Sequence, residues 1–221
     1  MFIEPVCGNF DIPHLQEINR RIFQDLPALG FSDVTPGRFR SPTPEKLDWV
    51  KSRKLESVNL ITFVAYSSMD QKAQNRLDHA LKQIDINALT KLNAITFSRT
   101  IAELYAAIDF IHPFKDGNSR TLREFTRELA DTCGYKIEWE RFDKTKAGRD
   151  ILYIARDLNV NKLALPHIKD INTKRDILYT IDALEGNRDL IDVLQDVIQK
   201  GLQPKILNFQ RGRSKDEGLG F

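Results

Sequence analysis

The stretch His112-Pro-Phe-Lys-Asp-Gly-Asn-Ser-Arg-Thr-Leu-Arg123 decides the fold, because one helix must stop at its first residue and another must start in its middle. Upstream, Phe97, Ile101, Leu104, Tyr105, Ile108 and Ile111 recur at three- and four-residue steps, so Asn93 to Ile111 is predicted to be a helix with one buried stripe. Pro113 disfavours helical geometry at His112 and ends it there. Downstream, Leu122, Phe125, Leu129 and Cys133 share a face of a helix starting near Ser119, and Gly134 suits its C-terminal end. A helix, a Gly-Asn loop and a second helix therefore form the expected core.

The loop between them holds more polar chemistry than packing needs, since charged residues are seldom buried unless paired. Gly117-Asn118 supplies a sharp turn, and the helix start behind it exposes unpaired backbone N–H groups that attract anions. Arg120 and Arg123 lie three apart on the first turn and reach one face. Guanidinium grips phosphate bidentately, so a ligand with at least two phosphates is expected. Asp116 would repel that ligand unless a cation lay between them, and Mg²⁺ is commonly held by one or two carboxylates plus substrate phosphates. His112 supplies a base that works near neutral pH. Together these parts describe attack by a deprotonated hydroxyl on a metal-bound nucleotide phosphate. Each also has a plain reading: His-Pro as a helix stop, Gly-Asn as a turn, two arginines as a solvated face.

Outward from the loop, 221 residues suffice for one well-cored domain. An apolar fraction of 41% and a charged fraction of 29% are ordinary for a soluble protein. A net charge of +2 argues against nucleic acid or an anionic membrane as partner. Cys7 and Cys133 lack metal-type spacing and fit a reducing compartment. No apolar run reaches the roughly 20 residues of a bilayer span, and Met1-Phe-Ile-Glu-Pro-Val lacks the features of a cleaved signal. A cytoplasmic protein is expected. His14, His79 and His167 are scattered without ligand spacing.

Asp11 is a plausible helix cap ahead of Leu15, Ile18, Ile22 and Phe23. Leu26 to Pro44 reads as an irregular loop, and Val58-Asn-Leu-Ile-Thr-Phe-Val-Ala-Tyr66 as a strand or hairpin. Helical patterns cover about Asp70 to Ile84, Ala147 to Asp157, Asp176 to Leu184 and Arg188 to Lys200, with Lys136-Ile-Glu-Trp139 as a short connector. Residues 201–221 lose periodicity and are expected to be a mobile tail. The architecture expected is mainly α with one small β element.

The stretch resembles the Fic family motif, His-x-Phe-x-Asp/Glu-Gly-Asn-Gly-Arg-x-x-Arg, which His112, Phe114, Asp116, Gly117, Asn118, Arg120 and Arg123 match. Gly8-Asn-Phe-Asp-Ile-Pro-His-Leu-Gln-Glu-Ile-Asn-Arg-Arg-Ile-Phe-Gln-Asp25 resembles the family's first core helix, and Ile101 to Ile111 and Gly134 to Trp139 extend the likeness. The resemblance implies a Fic fold: a helical bundle around a helix-loop-helix active site with a small β-hairpin flap. It implies one domain over 1–200, with a core at 8–160 and C-terminal helices at 161–200. The implied activity is protein adenylyltransfer, moving AMP from ATP, with Mg²⁺, to a Ser, Thr or Tyr hydroxyl of a target protein. His112 would be the general base and Asp116 the metal holder. Gly117, Asn118 and Ser119 would form the anion hole, Arg120 would meet the β-phosphate and Arg123 the γ-phosphate. Phe114 would be a buried anchor. Leu60, Ile61, Thr62 and Phe63 would belong to the flap that docks the target by strand addition. Thr35-Pro-Gly-Arg-Phe-Arg40 only partly matches the family's aromatic-Ala-Gly-x-x-Arg segment.

Ser119 replaces the motif's second glycine. At positive φ it would cost roughly 1–2 kcal/mol and spoil the nest, leaving a weak nucleotide-binding or interaction module; with helical φ it is harmless. Doc-type relatives that differ here transfer phosphate, so a protein kinase reading stays open, as do UMP and phosphocholine transfer. Many Fic enzymes carry an inhibitory Ser/Thr-x-x-x-Glu-Gly/Asn motif. Glu185-Gly186-Asn187 offers its ending, but Thr180 lies five residues before Glu185 rather than four. A separate small antitoxin-like inhibitor protein is the expected regulator, in a bacterial toxin or a secreted effector.

Overall fold

The computed structural model describes residues 4–201, so the expected tail lies, but for Gly201, outside the described residues. The element order is α1 (Ile12–Phe23), β1 (Trp49–Leu55), β2 (Leu60–Tyr66), α2 (Gln71–Lys82), α3 (Ile86–Leu89), α4 (Ala94–Ile111), α5 (Asn118–Thr132), β3 (Tyr135–Ile137), α6 (Glu140–Asp143), α7 (Lys146–Ala164), α8 (Ile171–Leu184), α9 (Leu190–Gln195) and β4 (Ile198–Lys200). The fold is mainly α, a helical bundle with a small hairpin, as expected. Helix starts are written in the sequence: the side chains of Asp11, Asp70, Asn93, Thr145, Asp170 and Asp189 each accept a backbone N–H from the first turn that follows. The start of α5 has Gly117 instead, and no side chain caps it.

α4 runs through the centre and packs against α2, α5, α7 and α9. The one-stripe expectation understates it. Besides Phe97, Ile101, Tyr105, Ile108 and Ile111, its opposite side buries Ser98, Ala102, Ala106, Asp109 and Phe110, while Leu104 is only half-buried. A helix enclosed nearly all round is a core helix. α5 follows its predicted stripe, with Leu122, Phe125, Leu129 and Cys133 buried and Gly134 at φ 79°. α1 lies on α5, tied by Asn19 Nδ2 donating to Thr121 Oγ1 at 2.9 Å. His14 bridges the same helices, contacting Glu128 at 2.9 Å and accepting from Phe10 N–H at 3.1 Å.

Several boundaries differ from the sequence reading. Val58 is in a turn, and β2 pairs with a first strand, β1, whose polar composition hides it in the sequence. Lys136-Ile-Glu-Trp139 is not a plain connector: β3 pairs antiparallel with β4, Tyr135 opposite Lys200 and Ile137 opposite Ile198. β4 therefore takes the end of the helix expected to reach Lys200. α7 and α8 both begin earlier than expected and α7 runs to Ala164.

Candidate active site

The loop from α4 to α5 is fixed by its own backbone requirements. His112 adopts the left-handed conformation, φ 49° and ψ 59°, rather than the extended one usual before proline. That costs about 1–2 kcal/mol for a side chain with a Cβ, and the surrounding structure holds it. Arg40 donates from Nε to His112 O at 2.8 Å, and from Nη2 to the carbonyl of Ser67; its own N–H reaches Pro113 O at 2.9 Å. Its guanidinium lies over the Trp49 ring at 4.4 Å. A cation on the open carbonyls of a helix C-terminus is favourable, and burial pulls the Arg40 pKa down to about 10. Arg40 is thus what the partly matching Thr35–Arg40 segment contributes.

Gly117 has φ 77°, and a Cβ there would stand 2.0 Å from the Phe23 ring, so only glycine fits. Asn118 folds its amide back, accepting from Phe114 N at 2.9 Å and donating to Phe114 O at 2.6 Å. Its side chain therefore staples the loop, and only its backbone N–H is available to an anion. Phe114 is buried and packs 5.7 Å from Phe39.

A cavity of about 530 Å³ opens over the α5 start. Its walls include His112, Gly117, Asn118, Ser119, Arg120 and Arg123 from the predicted site, and Lys51, Arg53, Tyr66, Asp143, Tyr153 and Arg156 besides. Burial pushes the His112 imidazole down to about 4, more strongly than Asp109 beside it pulls it up, so the ring is neutral at pH 7. Tyr66 packs on that ring with centroids 3.8 Å apart. Arg53 is paired with Asp157 at 2.8 Å and lies over Tyr153 at 3.9 Å. Arg120 has no ion pair among the described residues and rests 4.6 Å over the Phe23 ring, free to meet an anion. Burial lowers the Lys51 ammonium from its ordinary value.

Ser119 lies within α5 and has no positive φ, so the feared distortion of the nest does not arise. Asp116 is exposed beside the cavity rather than in its wall, with no ion pair among the described residues. One free carboxylate at the lip of a phosphate-type cradle fits Mg²⁺, which takes few protein ligands; no cluster of three or more metal-type side chains exists among the described residues. Glu185 caps the end of α8, is exposed and does not line the cavity. Arg123 is instead paired with Asp143 of α6, Nη1 lying 3.1 and 3.0 Å from the two carboxylate oxygens.

The flap residues also need correction. Phe63 N–H donates to Thr180 Oγ1 at 3.0 Å, Ala65 N–H donates to Asn161 Oδ1 at 3.1 Å, and Asn161 Nδ2 donates to Phe63 O at 2.8 Å. The outer edge of β2 is therefore closed at Phe63 and Ala65, so of the expected docking residues Phe63 does not offer its backbone to a target strand. Val50 and Ser52, opposite Ala65 and Phe63, must point their N–H and C=O groups the other way. Among the described residues, no backbone partner meets Val50 or Ser52 on that outer side of β1.

Asp109, Arg156, Asp143 and the cationic β1 residues went unread in the sequence. Asp109 and Arg156 carried a signal: each is a charge inside a run of apolar residues on a helix, which implies a buried partner.

The probable protein adenylyltransferase Fic of Escherichia coli K12 is 25% identical over 134 residues, covering 60% of this chain and 56% of its own length. Protein adenylyltransferase VbhT of Bartonella schoenbuchensis is 24% identical over 211 residues, 93% of this chain but 39% of VbhT. The chain thus spans only about two-fifths to about half of these relatives. Among solved structures, BepC, a VirB-translocated effector of Bartonella tribocorum with bound AMPPNP, superposes with a TM-score of 0.55 at 16% identity, over 90% of this chain and 79% of BepC. The N-terminal Fic domain of a Bartonella quintana Bep effector with bound ADP gives 0.50 at 20% identity, over 90% and 77%. These likenesses speak for the fold. Residues 9–130 match the Fic/DOC family, a span that runs from α1 through the uncapped loop to α5 and takes in more than half of the sequence, and the chain belongs to that family.

Proposed function

We propose that this chain is a protein adenylyltransferase, moving AMP from ATP to a Ser, Thr or Tyr hydroxyl of a target protein. The observation that carries the reading is the cavity itself, lined together by a buried neutral imidazole, an uncapped helix start and the arginines at 120 and 123. Relatives named protein adenylyltransferase, and fold neighbours holding AMPPNP and ADP, supply the donor.

In this reading the backbone N–H groups at Gly117, Asn118 and Ser119 and the free Arg120 hold the phosphates. His112 removes the target hydroxyl proton, the hydroxyl oxygen bonds to the α-phosphorus, and the bond to the β-phosphate oxygen breaks to release pyrophosphate. Negative charge grows on that leaving oxygen, where Arg120 and the α5 start stabilise it. Asp116 would hold Mg²⁺, which when bound would supply further charge neutralisation for the nucleotide phosphates. The target segment adds to the open edge of β1, whose Ser52 already lines the cavity, and so brings its hydroxyl towards His112. A second reading, phosphocholine transfer from CDP-choline, draws on the Asp143–Arg123 pair, which weakens the positive charge awaiting a third phosphate.

Incubating the protein with lysate, Mg²⁺ and either ATP labelled at the α- or the γ-phosphate or CDP-choline labelled in its choline separates the readings. The α-label is expected to mark a protein band that His112→Ala loses entirely. Marking by the γ-label alone would mean a kinase instead.

A further inference from the structure

Two buried charges behind His112 have no part in the reaction as written. Asp109 and Arg156 are each 2% exposed. Arg156 grips both carboxylate oxygens, Nε lying 3.0 Å from Oδ2, and Nη2 lying 2.9 and 2.8 Å from Oδ1 and Oδ2. Its remaining Nη1 donates to Ser119 Oγ at 3.1 Å, so the same arginine fastens α4, α7 and the first turn of α5. A pair this deep is a weak source of stability, because desolvation offsets most of the attraction. Its placement suggests another use. Asp109 Oδ1 stands 3.7 Å from Nδ1 of His112, and Nδ1 is sealed with no hydrogen-bond partner among the described residues. The ring's other nitrogen, Nε2, is not among the sealed atoms.

We propose that Asp109, locked by Arg156, is a positioning residue that accepts the Nδ1–H of His112 and so leaves Nε2 bare towards the cavity. The inference rests on His112 being the base. An ionised carboxylate can only accept, so the ring nitrogen facing it carries the proton. The 3.7 Å separation is somewhat longer than a hydrogen bond, as is common in unliganded sites whose catalytic contacts tighten with substrate. The groups facing the ring are Asp109 from its own helix, Lys51 of β1, Tyr66 of β2 and Arg156 of α7, and the anion among them is Asp109. Ser119 now has a role that glycine could not fill: its hydroxyl takes the third donor of the arginine, coupling the base to the phosphate nest.

The test is the tautomer of His112 in the ligand-free protein, read by ¹⁵N NMR, with Asp109→Asn as the variant. Arg156 only donates and must take the amide oxygen of the new side chain, which turns its NH₂ towards His112 and forces the imidazole proton onto Nε2. The expected results are Nδ1–H in the parent and Nε2–H in the variant. Transfer should fall about 100-fold or more, with nucleotide affinity held and the acid limb of the rate profile moved to lower pH. Asp109→Glu, which keeps the charge, should restore Nδ1–H and part of the rate. Nε2–H in the parent overturns the proposal, and so does a variant that keeps Nδ1–H and full activity. Should Asp109→Asn fail to fold, the parent's tautomer decides alone. Should the parent label no protein, the adenylyltransferase reading falls while the NMR result still judges this one.

Discussion

Gly117 shows how little freedom the loop between α4 and α5 has at the scale of one residue. Its positive φ excludes most side chains, and Phe23 occupies the space a Cβ would take. Gly117→Ala combines a left-handed penalty of about 1–2 kcal/mol with overpacking of about 1–3 kcal/mol. Urea denaturation should show a loss in that combined range, together with weaker ATP binding; an unchanged midpoint would refute the account. This residue was legible in the sequence because its neighbours on the chain are also its neighbours in the site. The same holds for His112, Asn118 and Arg120, which the loop presents together. Asp109 and Arg156 are 47 positions apart, and Arg123 and Asp143 are 20 apart. Such pairs depend on how separate helices meet, so a single sequence gives their charges but not their partners.

At the scale of elements, the first strand of the hairpin was hidden by its composition. Trp49-Val-Lys-Ser-Arg-Lys-Leu55 looks polar because Lys51, Ser52 and Arg53 line the cavity over the α5 start, whereas Leu60–Tyr66 packs against α7 and α8 and reads as an ordinary strand. α6, a single turn, is placed by what it carries. Its Asp143 occupies Arg123, and any group bound by that arginine must displace a carboxylate that is itself half in solvent. Exposed pairs of this kind contribute about 0.2–1 kcal/mol. Asp143→Asn should therefore raise ATP affinity by about 1.4- to fivefold, in line with that energy. Calorimetry with AMP is the control, since AMP carries no phosphate to reach Arg123. An equal gain for AMP would show that Asp143 acts elsewhere than on the terminal phosphate.

For the whole molecule, the buried charges behind the loop tie stability to pH. Burial pushes His112 from 6.5 down to about 4, so the folded state binds fewer protons than the unfolded one between those values. Stability from this group is present above about pH 6.5 and is lost as pH falls towards 4. Asp109 adds the same sign lower down: burial raises it, but Arg156 outweighs burial and holds it at about 2, so its contribution is lost as pH falls from 3.8. Asp157 opposes them, since burial outweighs its pairing with Arg53 and raises its pKa; its contribution is greatest at low pH and fades as pH rises. His112 acts most strongly at the upper end of the window from 6.5 to 4, and comparing the parent with a variant that lacks the ring subtracts the opposing effect of Asp157. Replacing the ring tests this without adding backbone strain if the new residue tolerates φ 49°, and asparagine does. Unfolding free energies by urea at pH 7, 6, 5.5 and 5 should fall with acid in the parent. In His112→Asn the slope should be shallower by up to about 1.4 kcal/mol per pH unit, the limit for one proton. Parallel curves would mean that His112 is not buried in its neutral form, and the proposed reaction would lose its base.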